Sequence, residues 1–267
     1  MRERPVTREI DGAVSSGDIQ AVSRVGQILG LFSGENPTTT VAEAAERLGL
    51  NRSTTHRYFT SLVTAGLLER TREPSRFEPG GLLLQLGAAA LGRRRVLDVA
   101  PPFLRRVCQS THLTTVISLW GSSGPVVSRS EEDTTRSVLV TVRVGTQLGL
   151  RSAQAKLFLA FLPDQLGADR LLATLPENER EELTAQLAEV RRTGVASDHL
   201  VDSGITAVAT GVFDEYGICA TIAVVGTVRT LPVDGGAFRH DLVTAAAEIS
   251  QRMGGVVPVV AEESAVV

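Results

Sequence analysis

Lysine is nearly absent. Among 27 basic residues the single lysine is Lys156, and it is not part of a GK[ST] sequence, so there is no phosphate-binding P-loop. Neither GxGxxG nor GxSxG occurs, which removes the dinucleotide fingerprint and the hydrolase nucleophile elbow. The histidines, His56, His112, His199 and His240, never pair with one another or with cysteine at metal-ligand spacing. No metal and no cofactor is expected. The two cysteines, Cys108 and Cys219, lie far apart in apolar surroundings and read as small hydrophobes in a reducing compartment. No apolar run approaches the roughly 20 residues that a membrane span needs. The opening MRERPVTREIDGAVSSGD has no signal-type apolar stretch. A cytoplasmic protein with no membrane partner is expected.

What is present suffices for two domains: 267 residues, 43% of them apolar. The net charge of −3 is unevenly spread. Residues 1–95 carry 13 Arg against 10 carboxylates, a net of +3, and the remainder carries −6. The overall acidity argues against indiscriminate binding to phosphates. A basic reading surface on a small N-terminal module remains compatible with it.

Such a module is written between Thr40 and Leu68. Val41, Ala44, Ala45 and Leu48 recur at helical spacing. Thr40 with Glu43 forms a capping-box pattern, and Gly49 stops the helix. Asn51 is a good N-cap for a second helix. Thr55, Phe59 and Leu62 fall on its inner side, with Tyr58 and Gly66 at the margins. Arg52, Ser53, His56, Arg57 and Thr60 fall largely outside, with two cations and no carboxylate. That face suits a recognition helix in a major groove. An apolar stripe over Val22–Phe32 predicts a preceding helix, ended by Ser33-Gly34 and Asn36-Pro37. Residues 69–78 read as a β-ribbon with a polar tip, a wing that offers Arg70, Arg72 and Arg76 to phosphates. The candidate DNA contacts are Arg24, Thr40, Asn51, Arg52, Ser53, Thr54, Thr55, His56, Arg57, Thr60, Arg70 and Arg76.

Residues 81–95 predict one further helix, so apolar that a small module cannot cover it. A second copy of the chain is the expected partner. Arg93, Arg94 and Arg95 suit that helix's negative C-terminal end or DNA. From Asp98 a second domain is expected. Pro101-Pro102 opens a helix, then strands follow over 113–120, 125–130 and 137–144. Helices follow over 153–162, 165–175 and 178–192, the last stopped by Gly194. A hairpin, 206–213 with 218–225, precedes a closing helix over 237–253. This order predicts an α+β domain with a mainly antiparallel or mixed sheet. Asp198, His199 and Ser203 resemble a catalytic triad on paper and are read as turn formers between strands. Glu131-Glu132-Asp133 reads as a solvated loop, lacking further ligands for a divalent ion. The expected organisation is a disordered tail (1–18), a winged helix-turn-helix (19–80), a linker and dimerisation helix (81–97), the α+β domain (98–256) and a tail (257–267). There is no internal repeat.

From about Ile19 to Gly255 the chain resembles the isocitrate lyase regulator (IclR) family of bacterial transcription factors. The resemblance rests on AVSRVGQILGLF, TVAEAAERLGLNRSTTHRYFTSLVTAGLL and FEPGGLLLQLG, then VGTQLGLRSAQAKLFLAFL and RRTGVASDHLVDSGITAVATGVFDEYGICATIAVVG. It implies a winged-helix DNA reader, a dimerising linker helix and a GAF-like effector-binding domain. It also implies double-stranded DNA as partner, a small-molecule effector, and homodimers that pair into tetramers. The matching effector positions are Gly145, Leu148, Leu150, Arg151, Ala153, Asp198, Ala207, Thr221 and Ala223. The family usually has Pro at Gly149, His at Arg151 and Gly at Ala155, and after Gly194 an acidic run, of which Asp198 remains. Ala207 and Ala223 replace small polar groups often found there. These departures predict an effector with an apolar body, an aromatic or alicyclic acid, over a two- or three-carbon acid. The rival expectation is a small-molecule binding protein or enzyme whose helical N-terminus only dimerises. Specific duplex binding with a steep salt slope separates the two.

Overall fold

The computed structural model describes residues 19–34, 36–135, 139–200, 204–232, 236 and 238–258, apart from the side chains at 165 and 200. The tail expected over 1–18, most of the tail from 257 and Ser203 lie outside the described residues.

Helix α1 (Gln20–Leu29) precedes α2 (Val41–Leu48) and α3 (Arg52–Thr64). At the start of α2 the Glu43 N–H donates to the Thr40 hydroxyl (3.1 Å), and the Thr40 N–H donates to the Glu43 carboxylate (2.9 Å). This exchange satisfies donors that a helix start leaves free. Gly49 ends α2 at φ +63°, where a side chain would be strained. The Asn51 carboxamide oxygen accepts from the N–H of Ser53 (2.9 Å) and caps α3. Ile28, Ala44, Phe59, Leu62, Leu68 and Phe77 form the core of this unit. The Phe59 and Phe77 rings meet edge to face at 4.9 Å.

The wing is β2 (Leu68–Arg70) with β3 (Arg76–Pro79), antiparallel. A two-residue strand, β1 (Thr39–Thr40), joins on the far side of β3, with Thr39 opposite Phe77. Sequence alone reads Thr39 and Thr40 as a helix entry, because two residues carry no periodicity. Gly80 brings the wing back onto the end of α3. A Cβ there would lie 2.4 Å from the Gly66 carbonyl oxygen.

Helix α4 (Gly81–Gly92) has no buried residue. It stops at Gly92, so Arg93, Arg94 and Arg95 follow the helix and are not its last turn, contrary to expectation. Glycine wins over the apolar pattern as a stop signal. The division between the two structural units falls at Leu91/Gly92, inside the expected linker.

The second unit carries a five-stranded antiparallel sheet in the order β5-β4-β8-β7-β6. The strands are β4 (Thr114–Trp120), β5 (Pro125–Glu131), β6 (Val195–Leu200), β7 (Ile205–Asp214) and β8 (Gly217–Thr227). Helices α5 (Val96–Val99), α6 (Pro101–Thr111) and α10 (Phe238–Met253) pack on one face with Ile117, Ile222 and Val224. Helix α7 (Ala153–Phe161) packs on the other with Val116, Ala223 and Val225, beside α8 (Gln165–Leu172) and α9 (Glu177–Thr193). Alternate residues along each strand thus feed two cores.

Three expectations change. The described part of 137–144 forms no strand. Val140 and Val142 are half-buried while Leu139, Thr141 and Arg143 are exposed, so the alternation is real, but it reports burial and not a hydrogen-bonded ladder. Asp198 and His199 do not form a turn. They lie in β6, the sheet's edge strand, whose polar side chains hide the strand pattern. The loop around Glu131 is more than solvated surface. Glu131 closes β5, and Asp133 accepts from Thr135 (2.6 Å) and pairs with His112 Nδ1 (2.5 Å). The bonds from Thr135 and then His112 hold the Asp133 carboxyl at about 2.

Candidate functional site

The outer face of α3 is built by the same periodicity that buries Phe59 and Leu62. Arg52, Ser53, Thr54, His56, Arg57 and Thr60 are all exposed. Among the described residues neither Arg52 nor Arg57 has a hydrogen-bond or ion partner. No carboxylate lies in α3. Two guanidinium forks on one helix face can engage guanine edges or phosphates in a groove.

The remaining DNA candidates sort by what already holds them. Thr55 is fully buried, and its hydroxyl donates back to the Asn51 carbonyl (3.1 Å). It belongs to the core and not to the reading face, a correction that its place on the inner stripe explains. Thr40 and Asn51 act as helix caps. Thr60 donates to the His56 carbonyl (3.0 Å), and half-buried Arg24 donates to Gln27 (2.8 Å). In the wing Arg70 donates to the Pro74 carbonyl (2.7 Å) and lies over the Phe77 ring. Arg76 reaches Thr38, Glu43 and Glu73. Arg72 at the tip is exposed and has no partner among the described residues.

In the second unit the register sets Asp198 beside Ala207 and Ala207 beside Val225. The next row runs Ala196, Ala209, Ala223, Val116 and Ser130. Beyond it Gly211, Thr221 and Ser118 are cross-strand neighbours. Ala153 of α7 packs on this face of small residues, and Leu148 is half-buried against it. Thr221 donates to the Gln154 carboxamide oxygen (3.0 Å) in full burial. The hydroxyls of Ser118 and Ser130 are buried with no partner among the described residues. The face is therefore apolar with unsatisfied hydroxyls at one end, a departure from the usual pairing of buried polar groups.

Gly145, Leu150 and Arg151 lie outside these strands, and Asp198 belongs both to this face, beside Ala207, and to a neighbouring cleft. Gly145 is exposed in a turn and donates to the Val127 carbonyl (2.7 Å), and Leu150 is half-buried. Arg151 pairs with Glu182 (3.3 Å) and Glu179 (3.8 Å) on α9. Arg151 and Asp198 line a cleft of about 420 Å³ together with Lys156, Gln186 and Ser197. Ala207, Thr221 and Ala223 are not among its lining residues. Sequence reasoning passed over Lys156, Gln154, Ser118 and Ser130. The available signal was the lone cation in the buried run AQAKLFLAF.

Two family models match the chain. The IclR helix-turn-helix domain matches residues 21–72, and the bacterial transcriptional regulator IclR C-terminal domain matches residues 88–251. The chain is 25% identical over 260 residues to the transcriptional repressor IclR of Escherichia coli, covering 91% of this chain and 93% of that one. An IclR family transcriptional regulator from Brucella abortus shares the fold at a TM-score of 0.72 and 19% identity, over 88% of this chain and 93% of the other. An IclR homologue from Microbacterium hydrocarbonoxydans, solved with 4-hydroxybenzoate, matches at a TM-score of 0.67 and 23% identity, over 87% and 98%. A winged reader followed by a helix-sheet-helix sensor defines a one-component regulator class. This chain belongs to the IclR family and is a DNA-binding transcriptional regulator.

Proposed function

We propose that the chain reads a roughly palindromic operator as a homodimer, through Arg52 and Arg57 of α3, and releases or remodels that contact when an effector binds the second unit. The observation that carries this reading is the unpartnered, exposed cation pair on a capped helix. Phosphate contact comes from Arg72, with Arg70 and Arg76 shaping the wing. The apolar α4, in which no residue is buried, supports pairing of two copies, which sets two readers on successive turns of DNA. A dimer of dimers fits the same plan. The role is regulatory and not catalytic, and the compartment is the cytoplasm. No helix among the described residues is long and apolar enough to cross a membrane.

The effector is a monoacid or neutral ring compound with an apolar body, held on the face of Ala207, Ala209 and Ala223 beneath α7. The small side chains keep this face of the sheet apolar, and Ser118 and Ser130 offer hydroxyls to the ligand's polar end. The 4-hydroxybenzoate complex of the Microbacterium homologue supports an aromatic acid. The test is operator binding by fluorescence anisotropy across a salt series. Specific binding with a steep negative slope supports the reading. A flat slope or equal affinity for random duplex sinks it.

A further inference from the structure

The arginine triplet that follows α4 has no part in the reading above. Arg93, Arg94 and Arg95 are all exposed, and they open the second structural unit, which begins at Gly92. Coming after α4, they do not serve its carbonyl end. Arg95 instead donates to the Arg252 carbonyl in the last turn of α10 (3.1 Å). One bond leaves most of a guanidinium's donors open. Arg252 is itself exposed and lies over the Phe103 ring at 4.8 Å. Stacking on an aromatic face holds a guanidinium in place and leaves its edge N–H groups free. Chain neighbourhood and the Arg95–Arg252 bond thus bring four arginines to one corner of the unit.

Little negative charge answers them. Neither Arg93 nor Arg94 has a hydrogen bond or ion pair among the described residues. Glu248 is held by Arg106 (2.7 Å). Asp214, which acts with Arg94 on the Cys219 thiol, accepts the Tyr216 N–H (2.9 Å). Asp98 of α5 is the one carboxylate between Gly92 and Ala100. The corner is therefore positive on a unit whose residues 96–267 carry a net −6. Like charges gathered this way repel, and a polyanion relieves them. Helix α4 decides which polyanion. Its 12 residues rise roughly 18 Å from the wing to Gly92. The triplet is thus tethered within one helical turn of DNA, about 34 Å, of a module that reads a duplex.

We propose that Arg93, Arg94 and Arg252, with Arg95 fixing the corner, form a second phosphate-binding surface, carried by the sensor unit, that grips the DNA backbone outside the bases read by α3. The inference rests on the operator reading above and adds a sequence-independent contact to it. Guanidinium–phosphate pairing supplies affinity there and no base preference.

The probe is the duplex that the full chain selects from random inserts of about 20 base pairs, made with and without about ten base pairs of flanking sequence on each side. Binding is read by fluorescence anisotropy across a salt series. The flanks are expected to tighten wild-type binding roughly tenfold and to steepen the salt slope by about 2. Arg93→Gln with Arg94→Gln breaks no internal bond and is expected to lose that gain on selected and random duplex alike, with sequence preference unchanged. Arg93→Lys with Arg94→Lys keeps the charges and is expected to keep the slope. The proposal is overturned if the flanks add nothing to wild-type binding, if the Gln variant keeps the whole gain, or if the Lys variant loses the slope as the Gln variant does. Poly-L-glutamate that binds the wild type as tightly as flanked random duplex, and the Gln variant not at all, also overturns it, by assigning the corner to an acidic protein. Sequence preference without flank dependence sinks this proposal alone. Selection that returns no preferred duplex sinks the operator reading and this proposal with it.

Discussion

The Arg76 guanidinium of the wing lies 3.3 Å from the Glu43 carboxylate of α2, which also accepts the N–H of Thr40. One carboxylate thus joins the helix start to the wing. Both partners are more than a third exposed, so the ion pair itself adds little stability. Its consequence is positional. Arg76 is committed inside the unit, and Arg72 is the exposed wing arginine with no partner among the described residues.

The cap makes a stability prediction. Thr40→Ala removes the acceptor for the Glu43 N–H and is expected to cost about 1 kcal/mol in chemical denaturation. The backbone bond from Thr40, with Arg76 beside it, holds the Glu43 carboxyl below its ordinary value. A lowered carboxylate pKa contributes stability above the unfolded-state value, and that contribution is lost as pH falls through the folded-state value. Melting of Glu43→Gln and wild type should therefore differ near neutrality and converge in acid. A gap that widens in acid contradicts the cap.

Base reading should rest on two side chains. Arg52→Ala and Arg57→Ala are each expected to weaken specific operator binding by about 1–3 kcal/mol if that arginine contacts a base. Arg72→Ala should weaken binding uniformly across sequences and reduce the salt slope by about 1. Unchanged affinity and sequence preference in the double variant Arg52→Ala, Arg57→Ala, with the fold intact, would remove α3 from the interface.

Much of this reader is legible in the sequence because local rules agree there. Thr40, Gly49 and Asn51 each signal a boundary through backbone chemistry, and the inner stripe of α3 follows one period. The sensor unit is less legible where burial and pairing part company. Val140 and Val142 alternate like a strand without forming one, and Asp198 sits in a strand that polar side chains disguise. The pairing of Asp198 with Ala207 follows from register, and the hold of α9 on Arg151 follows from Glu179 and Glu182; no local pattern records either.

Helix α4 should carry the dimer. Leu84 and Leu86 are 76% and 55% exposed. Leu84→Glu with Leu86→Glu is expected to convert the protein to a monomer in sedimentation at micromolar concentration, with the melting of the sensor unit retained. The wild type sedimenting as a monomer under the same conditions contradicts the pairing.

The thiols should be inert. Burial, reinforced by Asp133, pushes Cys108 to about 11, and burial with Asp214 pushes Cys219 to about 12. The thiolate is the reactive form. Iodoacetamide at neutral pH is expected to label both slowly in the native protein and quickly in denaturant. Fast native labelling of either would place that residue outside its core.

The effector face makes the last prediction. Ala207, Ala209 and Ala223 offer no donors, and Ser118 and Ser130 offer only neutral hydroxyls, so a small dianion there would lose most of its hydration without a balancing charge, at several kcal/mol. A ring with one charge loses less. Aromatic and alicyclic monoacids are therefore expected to raise the melting temperature and to change operator affinity, which requires unequal affinity for two arrangements of the protein. Ser118 supplies a paired test. Ser118→Ala removes a buried hydroxyl that has no partner and should stabilise the ligand-free protein by about 1–3 kcal/mol. The same change should weaken the ligand whose polar end uses that hydroxyl. Ala223→Leu fills the face, costs about 1–3 kcal/mol by overpacking, and should abolish the response while operator binding persists. If glyoxylate or pyruvate acts at micromolar concentration while ring compounds do nothing, the effector is a small acid, and the alanines are ordinary core.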